Sequence, residues 1–346
     1  MIPQSLAILL TKHCNFICDH CSVCAGPNKR EETMSETLMK TAIEQAYYIP
    51  SIKVVAFTGG EVTLYFEQLK RGIKYAHEKG FTTRIVSNVW WAKTYEDAYA
   101  FLKELVSCGL DEINVSYDDF HVPYLAQFGG EQNVINAVRA AIDLGRTIVI
   151  GIVLQPGAKI RSAYLRQVFS DVGITGCINY VEDYVSPLGR AREKIPRNLW
   201  IVNTEKQGTG CGEAGKTVVV LPDGKVAFCC GHTVFTQAQD CFVVDNLVTG
   251  VSIAEIIKRI QKNVLSWMLY IEGPEWILTR LNVTKSFNNK CEACFYLCTV
   301  HKNKLRALAS KKEEIFAHIT SRKNDPAVIE LVQNTREVAN ENGIPT

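Results

Sequence analysis

Cys14, Cys18 and Cys21 follow a C-x3-C-x2-C spacing directly after an apolar run at residues 6–10. Three thiolates on one short loop can hold three irons of a four-iron, four-sulfur cluster and leave the fourth iron open to an exogenous ligand. With Cys24 added, the same loop could instead close a four-thiolate zinc site. Gly59, Gly60 and Glu61 end the next β-rich run, residues 52–57. Two glycines let a backbone approach a ligand closely, and Glu61 offers a carboxylate to an ammonium group. Further on, Cys211, Cys229, Cys291 and Cys294 make a second set, suited to a cluster or to a zinc ribbon. Cys229 and Cys230 are consecutive at the end of a run, residues 225–229, that reads as a strand. Successive strand side chains point to opposite faces, so one of the two can ligate while the other stands free. The alternatives for Cys230 are a buried structural cysteine or half of a vicinal disulfide. The cysteine total, 13, is odd. With a long chain and no secretory signal, it argues against a disulfide framework and for metal or redox chemistry.

The elements that must position these residues recur at about 30-residue intervals, the length of a βαβ unit. Short β-rich runs lie near Leu6, Lys53, Thr82, Glu112, Thr147 and Cys177. Between them, Thr94 with Asp97 makes a capping box, and Ala98, Phe101, Leu102 and Leu105 form a helical stripe closed by Gly109. After the second run, Thr63 is the expected cap, with Phe66, Leu69 and Ile73 on one face and Gly80 at the end. Six such units make a partial barrel or an open α/β sheet, with the site at the C-terminal ends of the strands. Beyond Pro187 the pattern changes to a hairpin around Pro222-Asp223-Gly224. A helix opened by Ser252 and Glu255 then runs through Ile253, Ile256, Ile257, Ile260 and Val264.

The Cys14/Cys18/Cys21 loop and the Gly59/Gly60/Glu61 strand end resemble the signature segments of the radical S-adenosylmethionine (SAM) superfamily, over roughly residues 5–190. The resemblance implies an α/β fold, a partial (β/α)6 barrel, with SAM bound to the open iron of the cluster and Gly-Gly-Glu beside the SAM amine. One electron from the cluster then cleaves SAM to methionine and a 5′-deoxyadenosyl radical. The family also places SAM contacts at His20, where an aromatic residue is usual, and at the third and fourth strand ends, here Ser87-Asn88 and Ser116-Tyr117-Asp118. Pro187-Leu188-Gly189-Arg190-Ala191 resembles the strand exit of members that carry a C-terminal cluster module. Cys211-x12-Gly224-x4-Cys229 followed by Cys291-x2-Cys294 resembles the twitch or SPASM extension, implying that these four cysteines ligate an auxiliary 4Fe-4S cluster. Of the further cysteines in a full SPASM array only Cys298 follows, so one auxiliary cluster is expected.

Within the superfamily, four segments are similar to the epipeptide-type peptide epimerases: residues 14–24, residues 56–62, the stretch from Ser116-Tyr117-Asp118 to His121-Val122-Pro123, and the Cys229-Cys230 pair. Those enzymes convert L-residues to D-residues in a ribosomally made peptide, and the similarity maps the hydrogen donor to Cys230. The expected layout is a barrel at 1–198, an auxiliary-cluster module at 199–300 and a helical tail at 301–346. Expected partners are a precursor peptide, bound by barrel or module, and a one-electron donor such as flavodoxin or ferredoxin. Rival readings are a thioether or carbon–carbon crosslinking enzyme and a zinc or iron–sulfur scaffold without turnover. Composition narrows the class further. Charge is nearly balanced, 38 basic against 36 acidic residues, which gives no general grip on a nucleic-acid backbone. No apolar run approaches the ~18 residues of a membrane span. A cytoplasmic location is expected.

Overall fold

The computed structural model describes residues 2–202 and 210–321. The far end of the expected tail, from 322, and residues 203–209 of the expected module lie outside the described residues. β1 (Ser5–Thr11) is apolar almost throughout because it is covered on both faces, residues 6–11 all being buried. That is the signature of a central parallel strand. It pairs in parallel with β2 (Val54–Gly59) on one side. β3 (Thr82–Ser87), β4 (Glu112–Ser116), β5 (Thr147–Leu154) and β6 (Ile178–Tyr184) follow in sequence order, all parallel.

The crossovers carry α1 (Glu36–Tyr47), α2 (Phe66–Glu78), α3 (Tyr95–Ser107), α4 (Val122–Leu125), α5 (Glu131–Asp143) and α6 (Ser162–Asp171), with α7 (Ala191–Lys194) after β6. Ser35 caps α1 and Thr94 caps α3 by accepting from the third residue onward. The apolar stripe of α1, Met39, Ala42, Ile43 and Ala46, is buried, as is that of α3. A sheet wound in one direction curls, and here polar side chains from five strands, Ser5, Thr58, Arg84, Asn114, Ser116 and Thr217, face one cavity. The expected partial barrel with a cysteine-bearing C-terminal region is the architecture observed.

The second region does not sit apart from this sheet. β7 (Thr217–Val220) pairs in parallel with β1, with Ser5 opposite Thr217, and β8 (Lys225–Ala227) and β9 (Val243–Asn246) extend the sheet antiparallel to nine strands. Gly224, at φ +85°, makes the β7–β8 turn. Helices α8 (Ile253–Gln261), α9 (Val264–Ile271), α10 (Pro274–Arg280), α11 (Lys290–Val300), α12 (Lys302–Ala309) and α13 (Lys312–Thr320) complete the described chain. None of the described helices is long and apolar enough to cross a membrane.

Three local expectations change. Glu61 rather than Thr63 caps the first turn after β2, because its carboxylate reaches the Thr63 amide. Val264 starts a new helix, since Asn263 caps it by accepting from Leu265 and Ser266 and so breaks the run. β8 ends at Ala227, so Cys229 and Cys230 lie in the loop beyond it and strand alternation does not apply to them.

The loop after β3 is fastened from α5. Asn133 Nδ2 donates to the carbonyls of Val89 (3.2 Å) and Trp90 (3.1 Å), and Asn136 Nδ2 to those of Ala92 (3.0 Å) and Lys93 (3.1 Å). Both asparagines are buried, and they hold Val89 at φ +53°, which a β-branched residue rarely adopts. Asn136→Ala should cost about 1–3 kcal/mol by stranding two carbonyls. A urea melt should show a lower midpoint at unchanged slope.

Candidate active site

The cluster loop is shaped by backbone bonds across its neck. Cys14 N donates to Gly26 O (3.2 Å) and Gly26 N to Lys12 O (3.1 Å). The end of β2 presses onto this neck: Gly60 N donates to Thr11 O (2.6 Å) and Glu61 N to His13 O (2.8 Å). A Cβ on Gly60 would lie 2.1 Å from His13 O, and one on Gly59 2.2 Å from Thr11 O. The glycine pair is therefore required by the cluster loop itself.

A third segment closes the other side. Gly189, at φ +58°, packs where a Cβ would meet Ser22 O at 2.5 Å. Arg190 donates from its amide to Cys21 O (3.1 Å), from Nη1 to Cys18 O (2.7 Å) and from Nη2 to Ala25 O. Three loop carbonyls depend on this arginine, a task that its sequence neighbourhood does not mark.

Cys14 and Cys18 are buried and Cys21 half-buried, and all three line one cavity of about 510 Å³. Cys24 is exposed and does not line it. Cys14 Sγ accepts from Phe16 N (3.3 Å) and Cys21 Sγ from Ala25 N (3.4 Å). Burial pushes the Cys14 thiol up to about 12 and raises Cys18 as well. Ionising them takes a strong local cation, which an iron cluster provides. Among the described residues, the one set of three His, Cys, Asp or Glu ligand atoms mutually within 4.8 Å is His20, Asp118 and His121. Neither cysteine set is drawn in to the ~3.8 Å sulfur spacing that Zn–S bonds of about 2.3 Å require in a tetrahedron. A wider, polynuclear cluster fits these thiols better than zinc.

The polar residues expected beside SAM fall into two groups. Gly59, Gly60, Asn88, His20 and Ser116 line the cavity together with the three thiols. Glu61 and Ser87 also border it, but their polar atoms are engaged. Glu61, 1% exposed, accepts from Thr63 Oγ1 (2.6 Å), Thr63 N (3.2 Å), Ser87 Oγ (2.9 Å) and Asn88 N (2.7 Å). Burial raises its pKa, and these bonds oppose the rise. The carboxylate thus ties the end of β2 to the end of β3 and orients Asn88, whose Nδ2 lies 3.8 Å from Cys14 Sγ.

Asp118 is fully buried and does not line the cavity. It accepts from Phe120 N (3.0 Å), His121 N (3.2 Å), His121 Nδ1 (2.8 Å) and Val153 N (3.2 Å). Burial works to raise it, but His121 and His20 outweigh that and hold it at about 2. Burial lowers His20 to about 4. The residue that Asp118 presents to the cavity is His121, part of the quoted stretch but given no role there; its i+3 spacing from Asp118 was the available signal.

Cys230, Glu213 and His232 line the same cavity. Cys230 Sγ lies 3.9 Å from Glu213 Oε2, and burial raises this thiol to about 11. Cys229 turns the other way. A Cβ on Gly231 would meet Cys229 Sγ at 3.2 Å and Cys291 Sγ at 3.1 Å, and Cys294 and Cys211 interact electrostatically with the same pair. Cys211, Cys229, Cys291 and Cys294 are therefore brought together; Cys230 interacts with Cys211, Cys229 and Cys291, and of the five it is the one that lines the cavity. Three buried polar atoms bordering the main cavity, His20 Nδ1, Asn114 Oδ1 and His232 Nδ1, lack a hydrogen-bond partner in the protein. Such atoms suit a polar ligand, and a molecule carrying an amine, a carboxylate and a nucleoside fits this cavity.

Residues 8–163 match the family described as "Radical SAM superfamily", and the chain carries a radical SAM domain. That family implies a 4Fe-4S cluster and SAM as cofactors. The chain is similar to "Putative peptide biosynthesis protein YydG" of Bacillus subtilis (strain 168), 23% identical over 84% of this chain and 87% of that one. It is also similar to "Probable GTP 3',8-cyclase" of Archaeoglobus fulgidus, 27% identical over 43% of this chain and 48% of that one. Among solved structures, that of anSMEcpe with bound AdoMet and Cp18Cys peptide shares the fold, with a TM-score of 0.50 at 16% identity, over 89% of this chain and 99% of the other.

Gly60→Ala should drive β2 off the cluster loop. After anaerobic reconstitution, iron should fall markedly, because the Cys14/Cys18/Cys21 loop loses its placement. Full iron in this variant would show that the loop tolerates the displacement.

Proposed function

We propose that the chain is a peptide-modifying radical SAM enzyme, and specifically a peptide epimerase that turns an L-residue of a ribosomally made precursor into its D-form. The observation that carries the reading is the placement of Cys230. Its thiol lines the cavity that Cys14, Cys18 and Cys21 line, while Cys229 faces the other cysteine set. The similarity to a peptide biosynthesis protein over most of both chains supports a peptide substrate.

In this reading Cys14, Cys18 and Cys21 hold the SAM-binding cluster. Gly59, Gly60, Asn88, His20 and Ser116 border SAM, with Glu61, Ser87 and Asp118 setting the positions of those that touch it. Cys211, Cys229, Cys291 and Cys294 hold an auxiliary 4Fe-4S cluster. When bound, cluster and SAM supply a hydrogen-abstracting 5′-deoxyadenosyl radical, which takes hydrogen from the Cα of the target residue. Cys230 Sγ then returns a hydrogen atom to the opposite face of the planar Cα radical. One electron and one proton restore the thiol, the electron coming from a donor of the flavodoxin or ferredoxin type.

The test is anaerobic turnover of a candidate precursor peptide in deuterated water. A thiol exchanges its proton with solvent, so the D-residue should gain about one mass unit. Cys230→Ala should keep its iron and still form 5′-deoxyadenosine with peptide, yet yield little D-residue. Normal epimerisation by Cys230→Ala defeats the donor assignment. A product about two mass units lighter with no D-residue points to crosslinking, and absence of 5′-deoxyadenosine to a scaffold.

A further inference from the structure

Cys241 and Cys298 belong to neither cysteine set. Cys298 stands one helical turn beyond Cys294 on α11 and is 3% exposed. Cys241 ends a short turn just before β9 and is half-buried. Cys241 Sγ lies 4.0 Å from the carbonyl oxygen of Cys298, which brings the two cysteines side by side. The interaction between the two thiols lowers the pKa of Cys241 and raises that of Cys298. The cations Lys302 and Arg306 act on Cys241 in the same direction, and Lys302 Nζ is 3.4 Å from the neighbouring Asp240 Oδ2. The accessible member of the pair is thus the one with cations beside it, and its partner is the one shielded from solvent. Reactive cysteines share those two properties, partial exposure and a positive surround.

We propose that Cys241 and Cys298 are a reversible dithiol–disulfide site, oxidised by low-molecular-weight disulfides. The Cys241 thiolate attacks such a disulfide, releasing one small thiol and forming a mixed disulfide. Cys298 then attacks the Cys241 sulfur, releasing the second small thiol. The protein gives up two electrons and two protons, and both electrons leave with the reduced small molecule. The bond joins the turn before β9 to α11, the helix that carries Cys291 and Cys294, so oxidation staples that helix to the edge of the sheet. The site is independent of the reaction proposed above.

The probe is oxidised glutathione, added anaerobically to the reconstituted holoenzyme, followed by alkylation and peptide mapping. The expected product is a peptide pair linked through Cys241 and Cys298, about two mass units lighter than its free components and separable by dithiothreitol, with iron content unchanged. The exposed Cys177 should instead carry a single glutathione. In Cys298→Ser, glutathione should stay on Cys241, and in Cys241→Ser, Cys298 should remain free. Stable glutathione on Cys241 of the unaltered protein, or a free Cys298 once Cys177 is fully modified, overturns the proposal. So does Cys298→Ser losing iron as Cys294→Ser does, since Cys298 would then be a ligand.

Discussion

Gly60 N to Thr11 O at 2.6 Å and Glu61 N to His13 O at 2.8 Å are two hydrogen bonds between a strand end and a loop neck, and the rest of the site takes its position from them. They are short because nothing but hydrogen lies between the two backbones. They fix where the cysteine loop leaves β1, and through Glu61 they fix β3 as well, since its carboxylate holds Ser87 and Asn88. From the far side, Gly189 and Arg190 clamp the same loop through the carbonyls of Cys18, Cys21, Ser22 and Ala25. The three thiols are therefore placed by backbone contacts from three separate segments.

Buried carboxylates at strand ends repeat this logic. Glu61 joins β2 to β3, and Asp118 joins β4 to β5 through Val153 N while turning His121 towards the cavity. Each has its acceptor capacity taken up by amides, hydroxyls and imidazole, which is what makes a buried charge tolerable. Among the groups left facing the cavity are the glycines, Asn88, Ser116, three histidines and thiols. Rigid carboxylates stand behind the working groups and set their geometry.

Much of this was legible in the residues. The parallel strands announced themselves as short β-rich runs at even spacing, and the caps Thr94 and Ser252 are local hydrogen bonds that a sequence can show. Contacts between distant segments could not be read. Arg190 reaches loop carbonyls up to 172 positions away, and nothing in its neighbourhood marks that target. Strand alternation gave Cys229 and Cys230 opposite directions for a reason that does not hold, since β8 stops at Ala227 and the loop geometry around Gly231 separates them instead. Asp118 and Ser116 looked equivalent as polar strand-end residues; only the fold shows that one is enclosed and the other borders the cavity.

The parallel pairing of β7 with β1 reaches across the sequence boundary expected near residue 198. Ser5 Oγ and Thr217 Oγ1 lie 2.9 Å apart although 212 positions separate them. During synthesis, β1 leaves the ribosome long before β7 and keeps one hydrogen-bonding edge bare until the chain has grown beyond residue 220. Ribosomes add about 5–20 residues per second, so this apolar edge stays open for roughly ten seconds or more. Bare edges of this kind are where chains pair with the wrong neighbour. A strand made late thus protects one made early, and a nascent chain halted before β7 would carry that edge of β1 uncovered.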